Sequence, residues 1–187
     1  MATSPLSTFT NALKYGGARP SLFEFFVTGA PSTVEASLSN VHLYCNVSEI
    51  PPLTLTPIER QYMGRTVKIP GDLVFTDLTT TIINTEKFNV RNEIEKWMEY
   101  INSTVENKSQ PLADFGTGTA RLKHYQKDGG VTMVYEFVDC WPITLSEIAL
   151  SYDTASDIEQ FDCTWAYNYY TQTGGTAPAK AGNVTQG

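Results

Sequence analysis

Two histidines and three cysteines are all this chain offers of the side chains that most often carry nucleophilic or metal chemistry. His42 and His124 both fall on predicted strands, and no G-x-S-x-G elbow places an activated serine beside either one. Cys45, Cys140 and Cys163 lack C-x-x-C spacing, which argues against a zinc site. Widely spaced thiols in odd number, with no export signal, read as buried free cysteines in a reducing compartment. Gly116-Thr117-Gly118 has no phosphate-loop lysine at the right distance and reads as a turn. No calcium-loop pattern occurs, and no cofactor is expected. Apolar runs stay well short of the roughly 20 residues a membrane helix needs. The N-terminal stretch MATSPLSTFTNALKYGG has no apolar h-region, so no secretory signal is expected. The four sequons, at Asn46, Asn102, Asn107 and Asn183, are accordingly read as unmodified. Cations are scarce too: 13 Lys and Arg against 20 Asp and Glu give a net charge of −7. That balance argues against gripping nucleic acid phosphates, which takes basic stripes. It is compatible with a surface that nucleic acid passes without sticking.

What is present is a β-rich globular pattern. The 187 residues are 41% hydrophobic, enough for one domain with a sizeable core, and 12% aromatic, which suits strands. Residues 1–19 read as an N-terminal arm, with a short helical turn around Phe9 to Tyr15. Leu22 to Thr28 is a predicted strand with Phe23, Phe25 and Val27 on one face, followed by a loop from Gly29 to Asn40. Val41 to Val47 alternates and predicts a half-buried strand. Gly64 to Ile69 predicts another, with Pro70-Gly71-Asp72 as a type II turn and a long Thr-rich strand from Leu73 to Asn84. Asn89 is the expected N-cap of the clearest helix, whose stripe Val90, Ile94, Trp97, Met98 and Ile101 predicts packing on the sheet. A polar loop spans Asn102 to Gly118. Thr119 to Gln126 and Val131 to Val138 form a predicted hairpin around Lys127-Asp128-Gly129-Gly130, and Pro142 is expected to end its second strand. Ile143 to Ser151 fits either a short strand or a single turn. A last strand, Glu159 to Tyr170, puts Phe161, Cys163, Trp165, Tyr167 and Tyr169 on one face. Residues 171–187 read as a flexible tail. The sum is a mainly β fold: an antiparallel β-barrel or sandwich of about seven or eight strands with one flanking α-helix over residues 20–170.

Ser48 to Met63 stands apart. Its three prolines exclude a central strand, so it reads as a long loop. Yet Ile50, Leu53, Leu55, Ile58, Tyr62 and Met63 are largely apolar for a loop. Two readings fit: it folds back over the open end of its own domain, or it docks on another subunit.

Several short pieces follow one another along most of the chain. Ala18-Arg19-Pro20 leads into a strand beginning Leu22-Phe23. Cys45 lies near the end of the next strand, before a Pro-containing loop. Arg65-x-Val67-x-Ile69-Pro70-Gly71-Asp72 precedes Phe75-Thr76-Asp77 and the Thr-rich strand ending in Asn84. Trp97 sits in the helix, Trp141-Pro142 follows the hairpin, and Ile158-Glu159-Gln160-Phe161 opens the final strand. In this order, over residues 18–170, the sequence resembles the tail tube proteins of contractile-tailed, T4-like bacteriophages. The loop at Gly29 to Asn40 and the tail after Tyr170 look longer than that family's minimum.

The resemblance implies a structural subunit, not an enzyme. Six copies would form a ring, and rings would stack into a tube that conducts DNA during ejection without binding it specifically. The implied partners are further copies of the chain, the tail sheath protein, and baseplate and tail terminator proteins. The implied location is the virion tail, assembled in the host bacterial cytoplasm, with no membrane partner. Ile50, Leu53, Leu55, Ile58, Tyr62 and Met63 then become candidates for contact between rings. Three alternatives remain at this stage. One is the tube subunit of a contractile injection or secretion system. Another is a carbohydrate-binding sandwich using Tyr167, Tyr169 and Tyr170. The last is a hydrolase built on Asp72 and Asp77, if they form a carboxylate pair.

Overall fold

The computed structural model describes residues 5–13, 16–31, 38, 40–111, 116–154 and 157–174. In chain order these give α1 (Pro5–Ala12), β1 (Phe23–Thr28), α2 (Val41–Tyr44), β2 (Cys45–Ser48), β3 (Leu53–Tyr62), β4 (Arg65–Phe75) and β5 (Leu78–Ile83). There follow α3 (Asn89–Ile101), β6 (Gly118–Tyr125), β7 (Val131–Leu145), β8 (Gln160–Ala166) and β9 (Tyr169–Thr173). Most of the Gly29 to Asn40 loop, and the tail beyond residue 174, lie outside the described residues.

Seven strands form the body, hydrogen-bonded in the order β1-β6-β7-β8-β5-β2, with β9 also paired to β7. Every pairing is antiparallel. β7 is the member that gives the body its shape. Its first part pairs with β6 and β9, and its last part, Trp141–Leu145, pairs with β8. The fold is therefore a sandwich whose two layers share a strand, rather than a closed barrel. Phe25 on β1 and Trp165 on β8 face each other across the layers, ring centroids 5.9 Å apart.

The change of layer happens at one corner. Asp139 takes a left-handed backbone conformation (φ 54°), which a short polar side chain tolerates better than a β-branched one. Asn168, in the break between β8 and β9, donates from Nδ2 to Asp139 Oδ2 at 2.8 Å and from its backbone N–H to the Val138 carbonyl at 3.1 Å. Two neighbouring strands thus bend together. Pro142 does not end β7 as expected. It lies at a register irregularity between Pro142 and Thr144, where an interrupted ladder tolerates a residue without an N–H.

The interior is built by period-two patterning. Leu78, Thr80 and Ile82 point inward from β5, and Phe161, Cys163 and Trp165 from β8. Thr80 is admitted because its hydroxyl accepts from Trp165 Nε1 at 2.9 Å, which also satisfies the indole. Helix α3 contributes Val90, Ile94 and Trp97 to the core, with Met98 and Ile101 partly buried against it. Trp97 stands 5.9 Å from Trp165 and donates Nε1 to the Gly116 carbonyl at 3.0 Å.

Several boundaries differ from the sequence reading. Val41 to Tyr44 is a helical turn, and the strand begins only at Cys45. Leu38 and Val41, three residues apart, are both buried, so helical spacing satisfies the core better than alternation. Asn89 is the first residue of α3 and not its cap. Phe88 precedes it at φ 52° with no side-chain cap, delivered by a turn whose N–H bonds the Thr85 carbonyl at 2.8 Å. The long Thr-rich strand is split at Thr76-Asp77, and the final strand is split at Tyr167-Asn168. The largest departure is β3 and β4. The stretch expected as a loop, and the Pro70-Gly71-Asp72 expected as a turn, are one continuous two-stranded ribbon.

Candidate assembly surface

The ribbon pairs Leu53 through Tyr62 with Arg65 through Phe75. At 3.3 Å per residue its ten-residue first strand is about 33 Å long. Its tip is the two-residue turn Met63-Gly64, both left-handed at φ 46° and 78°, as a tight hairpin requires. Of the three prolines in Ser48 to Met63, Pro51 and Pro52 precede the ribbon and Pro57 is tolerated within it. In a two-stranded ribbon each strand has one edge open to water, where a missing N–H leaves nothing unpaired. Pro57 lies opposite Pro70, so the two strands share that position.

Between Leu55 and Pro57 the register shifts, because Gly71 and Asp72 together oppose Thr56. That is a bulge, and it explains Gly71 better than a turn does. Gly71 does not have a positive φ; a Cβ there would collide with the Thr56 carbonyl oxygen and come within 2.9 Å of Ile58 Cγ1.

Every residue of β3 is exposed, and β4 is nearly so. Ile50, Leu53, Leu55 and Ile58 each keep about half of their surface, and Tyr62 and Met63 more. Val67, Ile69, Leu73 and Val74 add to them from β4. Among the described residues the ribbon is hydrogen-bonded into no other sheet. Monomers rarely expose so much contiguous apolar surface without a partner for it.

The root, by contrast, is fixed. Phe75 sits edge-on to Tyr167 (6.2 Å) and Tyr170 (5.6 Å), within a cluster that includes Phe137 and Tyr135. Tyr167 donates its hydroxyl to the Thr76 carbonyl at 2.6 Å. Burial, then the neighbouring Tyr170 and Asp77, push the Tyr167 hydroxyl up to about 12. Just before the other strand of the root, Pro51 is buried. Beneath it a groove of about 330 Å³ runs between Pro20, Phe23, Ile50, Leu122, His124 and Tyr135.

Two other surfaces matter for assembly. β1, β2 and β9 each have one strand edge with no hydrogen-bonded neighbour among the described residues. α1 exposes Leu6 and Phe9, and Leu13 just after it is exposed too.

The chemical alternatives fare differently. Tyr167 is buried and Tyr170 packs against the core, leaving Tyr169 as the one exposed ring of the three; a stacked sugar platform is not formed. Asp72 lies on the ribbon at the bulge and Asp77 at its root, both solvent-exposed. Burial raises the thiols of Cys140 and Cys163 well above their ordinary value, and that of Cys45 to about 12, so none is poised as a nucleophile. Among the described residues no cluster of His, Cys, Asp and Glu could hold a metal, and no helix is long and apolar enough to cross a membrane.

Residues 18–173 match the family model described as phage tail tube protein. The chain is 26% identical over 165 residues to the tail tube protein gp19 of Enterobacteria phage T4, covering 86% of this chain and 96% of that one. It is 26% identical over 170 residues to the tail tube protein of Serratia phage KSP90, covering 89% and 95%. Among solved structures, a chain of the PVC extracellular contractile injection system sheath-tube complex, in its extended state, superposes with a TM-score of 0.59. It is 16% identical, covering 92% of this chain and 99% of that chain. A chain of the PVC sheath/tube terminator reaches a TM-score of 0.62 at 15% identity, covering 84% and 97%. These structural likenesses establish the fold.

Proposed function

Because the chain belongs to the phage tail tube protein family, we propose that it is the repeating subunit of a virion tail tube, assembling as stacked hexameric rings inside a contractile sheath. Residues 20–173 form the wall unit, three residues longer than the sequence predicts because β9 runs to Thr173, and residues 1–19 form an arm. The open edges of β1, β2 and β9 are suited to joining neighbours within a ring, because a paired edge no longer templates stray association. A head-to-tail contact whose rotation closes makes a ring, and a second contact along the axis makes a tube.

The observation that carries this reading is the ribbon. It projects from the sandwich on an anchored root and exposes apolar side chains that none of the described residues covers. We assign Ile50, Leu53, Leu55, Ile58, Tyr62 and Met63 to the contact between successive rings. The role is structural rather than catalytic. The tail sheath protein, baseplate and terminator proteins are its partners outside the tube. DNA passes through the lumen, and the net charge of −7 favours its sliding over its capture.

Purified protein observed by negative-stain microscopy should give six-fold rings or hollow tubes; monomers at every concentration would overturn the proposal. The combined variant Leu53→Asp, Leu55→Asp, Ile58→Asp should fold with an unchanged thermal transition and form no tubes. Tubes from that variant at wild-type concentrations would remove the ribbon from the contact between rings.

A further inference from the structure

The two faces of the ribbon are chemically unlike, and the bulge divides them. Directly opposed residues of an antiparallel pair share a face. In the tip half, one face therefore carries Ile58 with Ile69, Arg60 with Val67, and Tyr62 with Arg65. The other face carries Glu59 with Lys68 and Gln61 with Thr66. The second set is satisfied within the ribbon: Lys68 Nζ lies 3.3 Å from Glu59 Oε1, and Gln61 Nε2 donates to Thr66 Oγ1 at 2.8 Å. The first set is not. Its apolar side chains are about half exposed or more, and neither Arg60 nor Arg65 has an ionic or hydrogen-bond partner among the described residues.

Below the bulge the arrangement reverses. Along β3 the pleat puts Leu53 and Leu55 on the side opposite Ile58, and their partners Phe75 and Leu73 go with them. Phe75 on that side packs into the aromatic cluster of its own sandwich. So Phe75 anchors the root half on that side, where Leu53, Leu55 and Leu73 stay about half exposed, and the tip half carries its apolar side chains on the opposite side. On β3 the pleat alone makes this change, since Leu55 and Ile58 are three residues apart. On β4 Val67, Ile69, Leu73 and Phe75 would share one face, and the extra residue at Gly71-Asp72 moves Leu73 and Phe75 across to join Leu55 and Leu53.

We propose that the tip half of the ribbon docks by one face alone, Ile58, Val67, Ile69 and Tyr62, on a second copy of this chain, with Arg60 and Arg65 meeting carboxylates of that copy. The face carrying Glu59, Gln61, Thr66 and Lys68 stays in water. The inference rests on the proposed role of the ribbon as an assembly contact and specifies how that contact is made. Charge complementarity identifies the occupant. The docking face is apolar and bears two unpaired cations, whereas the chain as a whole carries 20 acidic against 13 basic side chains. A second copy therefore supplies an excess of carboxylates. Arginine suits such a contact, since its fork pairs a carboxylate in a fixed geometry.

The test compares two pairs of substitutions that add equal charge to opposite faces of the same strands. Ile58→Asp with Val67→Asp acts on the docking face; Gln61→Asp with Thr66→Asp acts on the water face. Tube formation by the full chain is followed by sedimentation and negative stain, with a thermal melt as the folding control. The docking-face pair should raise the concentration needed for assembly by about tenfold or more, and the water-face pair by less than about twofold. Arg60→Glu with Arg65→Glu, which removes no apolar surface, should weaken assembly severalfold and abolish part of its sensitivity to salt. Equal losses from both faces, or a larger loss from the water face, would overturn the one-sided docking while leaving the ribbon as a contact. Wild-type assembly by all three variants would overturn the ribbon contact itself.

Discussion

Trp165 on β8 and Leu55 on β3 are both large apolar side chains on antiparallel strands of one chain. Trp165 is completely buried, and Leu55 keeps 53% of its surface. The sandwich encloses its apolar faces between two layers and a helix, so its stability is a property of the monomer. The ribbon has a single layer and, among the described residues, no cover. A lone two-stranded ribbon is marginal in water, and this one is held at its root by an aromatic cluster and one strong hydrogen bond. Strand pattern alone does not distinguish these cases. What separates them is whether the chain supplies a second layer.

Three measurements would break or sharpen that contrast. The largest effect belongs to the sandwich. Trp165→Ala removes the ring that meets both Phe25 and Trp97 at 5.9 Å and the indole N–H that Thr80 Oγ1 accepts. Denaturant unfolding should show a loss of about 3–5 kcal/mol. A loss below about 1 kcal/mol would mean that the core is not the seat of monomer stability.

A smaller effect belongs to the joint between the regions. Tyr167→Phe deletes the hydroxyl that bonds the Thr76 carbonyl, at a cost of about 1 kcal/mol. Hydrogen exchange in β3 and β4 should quicken more than in β8. The same tyrosine gives the joint an alkaline limit. Its folded value of about 12 lies above the ordinary 10.0, so the neutral form is favoured on folding. Its stabilisation is complete below pH 10 and falls away as the pH rises from there through about 12. Tyr125, raised to about 12 chiefly by its hydrogen bond to Glu24, has the same sign. Alkaline unfolding should therefore be shallower in Tyr167→Phe than in the wild type; an identical slope would dissociate the hydroxyl from stability.

The smallest effect belongs to the ribbon's water face. Lys68→Ala breaks the Glu59 ion pair, whose side chains are 67% and 54% exposed, and should change stability by less than about 0.5 kcal/mol. A larger loss in the monomer would show that the ribbon supports itself more than its lack of a second layer suggests.

The sandwich was legible where one face met one layer. Phe25 and Val27, the hairpin around Gly129, the alternation Phe161, Cys163, Trp165, and the stripe of α3 all follow from period two or 3.6. Legibility failed where a residue's local rule depended on its neighbours in space. Proline forbids a central strand, but Pro57 lies in a ribbon with open edges and Pro142 at an interrupted ladder. Pro-Gly-Asp signals a turn, but Gly71 serves a bulge whose demand is the approach of the Thr56 carbonyl. Val41 and Leu43 alternate like a strand, yet the buried Leu38 pulls the segment into a helical turn. The apolar content of Ser48 to Met63 was visible as an anomaly. Its division into two unlike faces was not, because that division depends on the cross-strand register.

The corner at Asp139 and Asn168 has a mechanical consequence. Most sandwiches hold two separate sheets together by side-chain packing, which resists separation but yields to sliding. Here one covalent strand passes through both layers, and its neighbour bends beside it, pinned by the Asn168 amide on the Asp139 carboxylate. Shear between the layers must stretch backbone or break that pin before side chains can slip. Sliding of the layers is thus resisted by the chain itself, much as a stitched laminate outlasts a glued one.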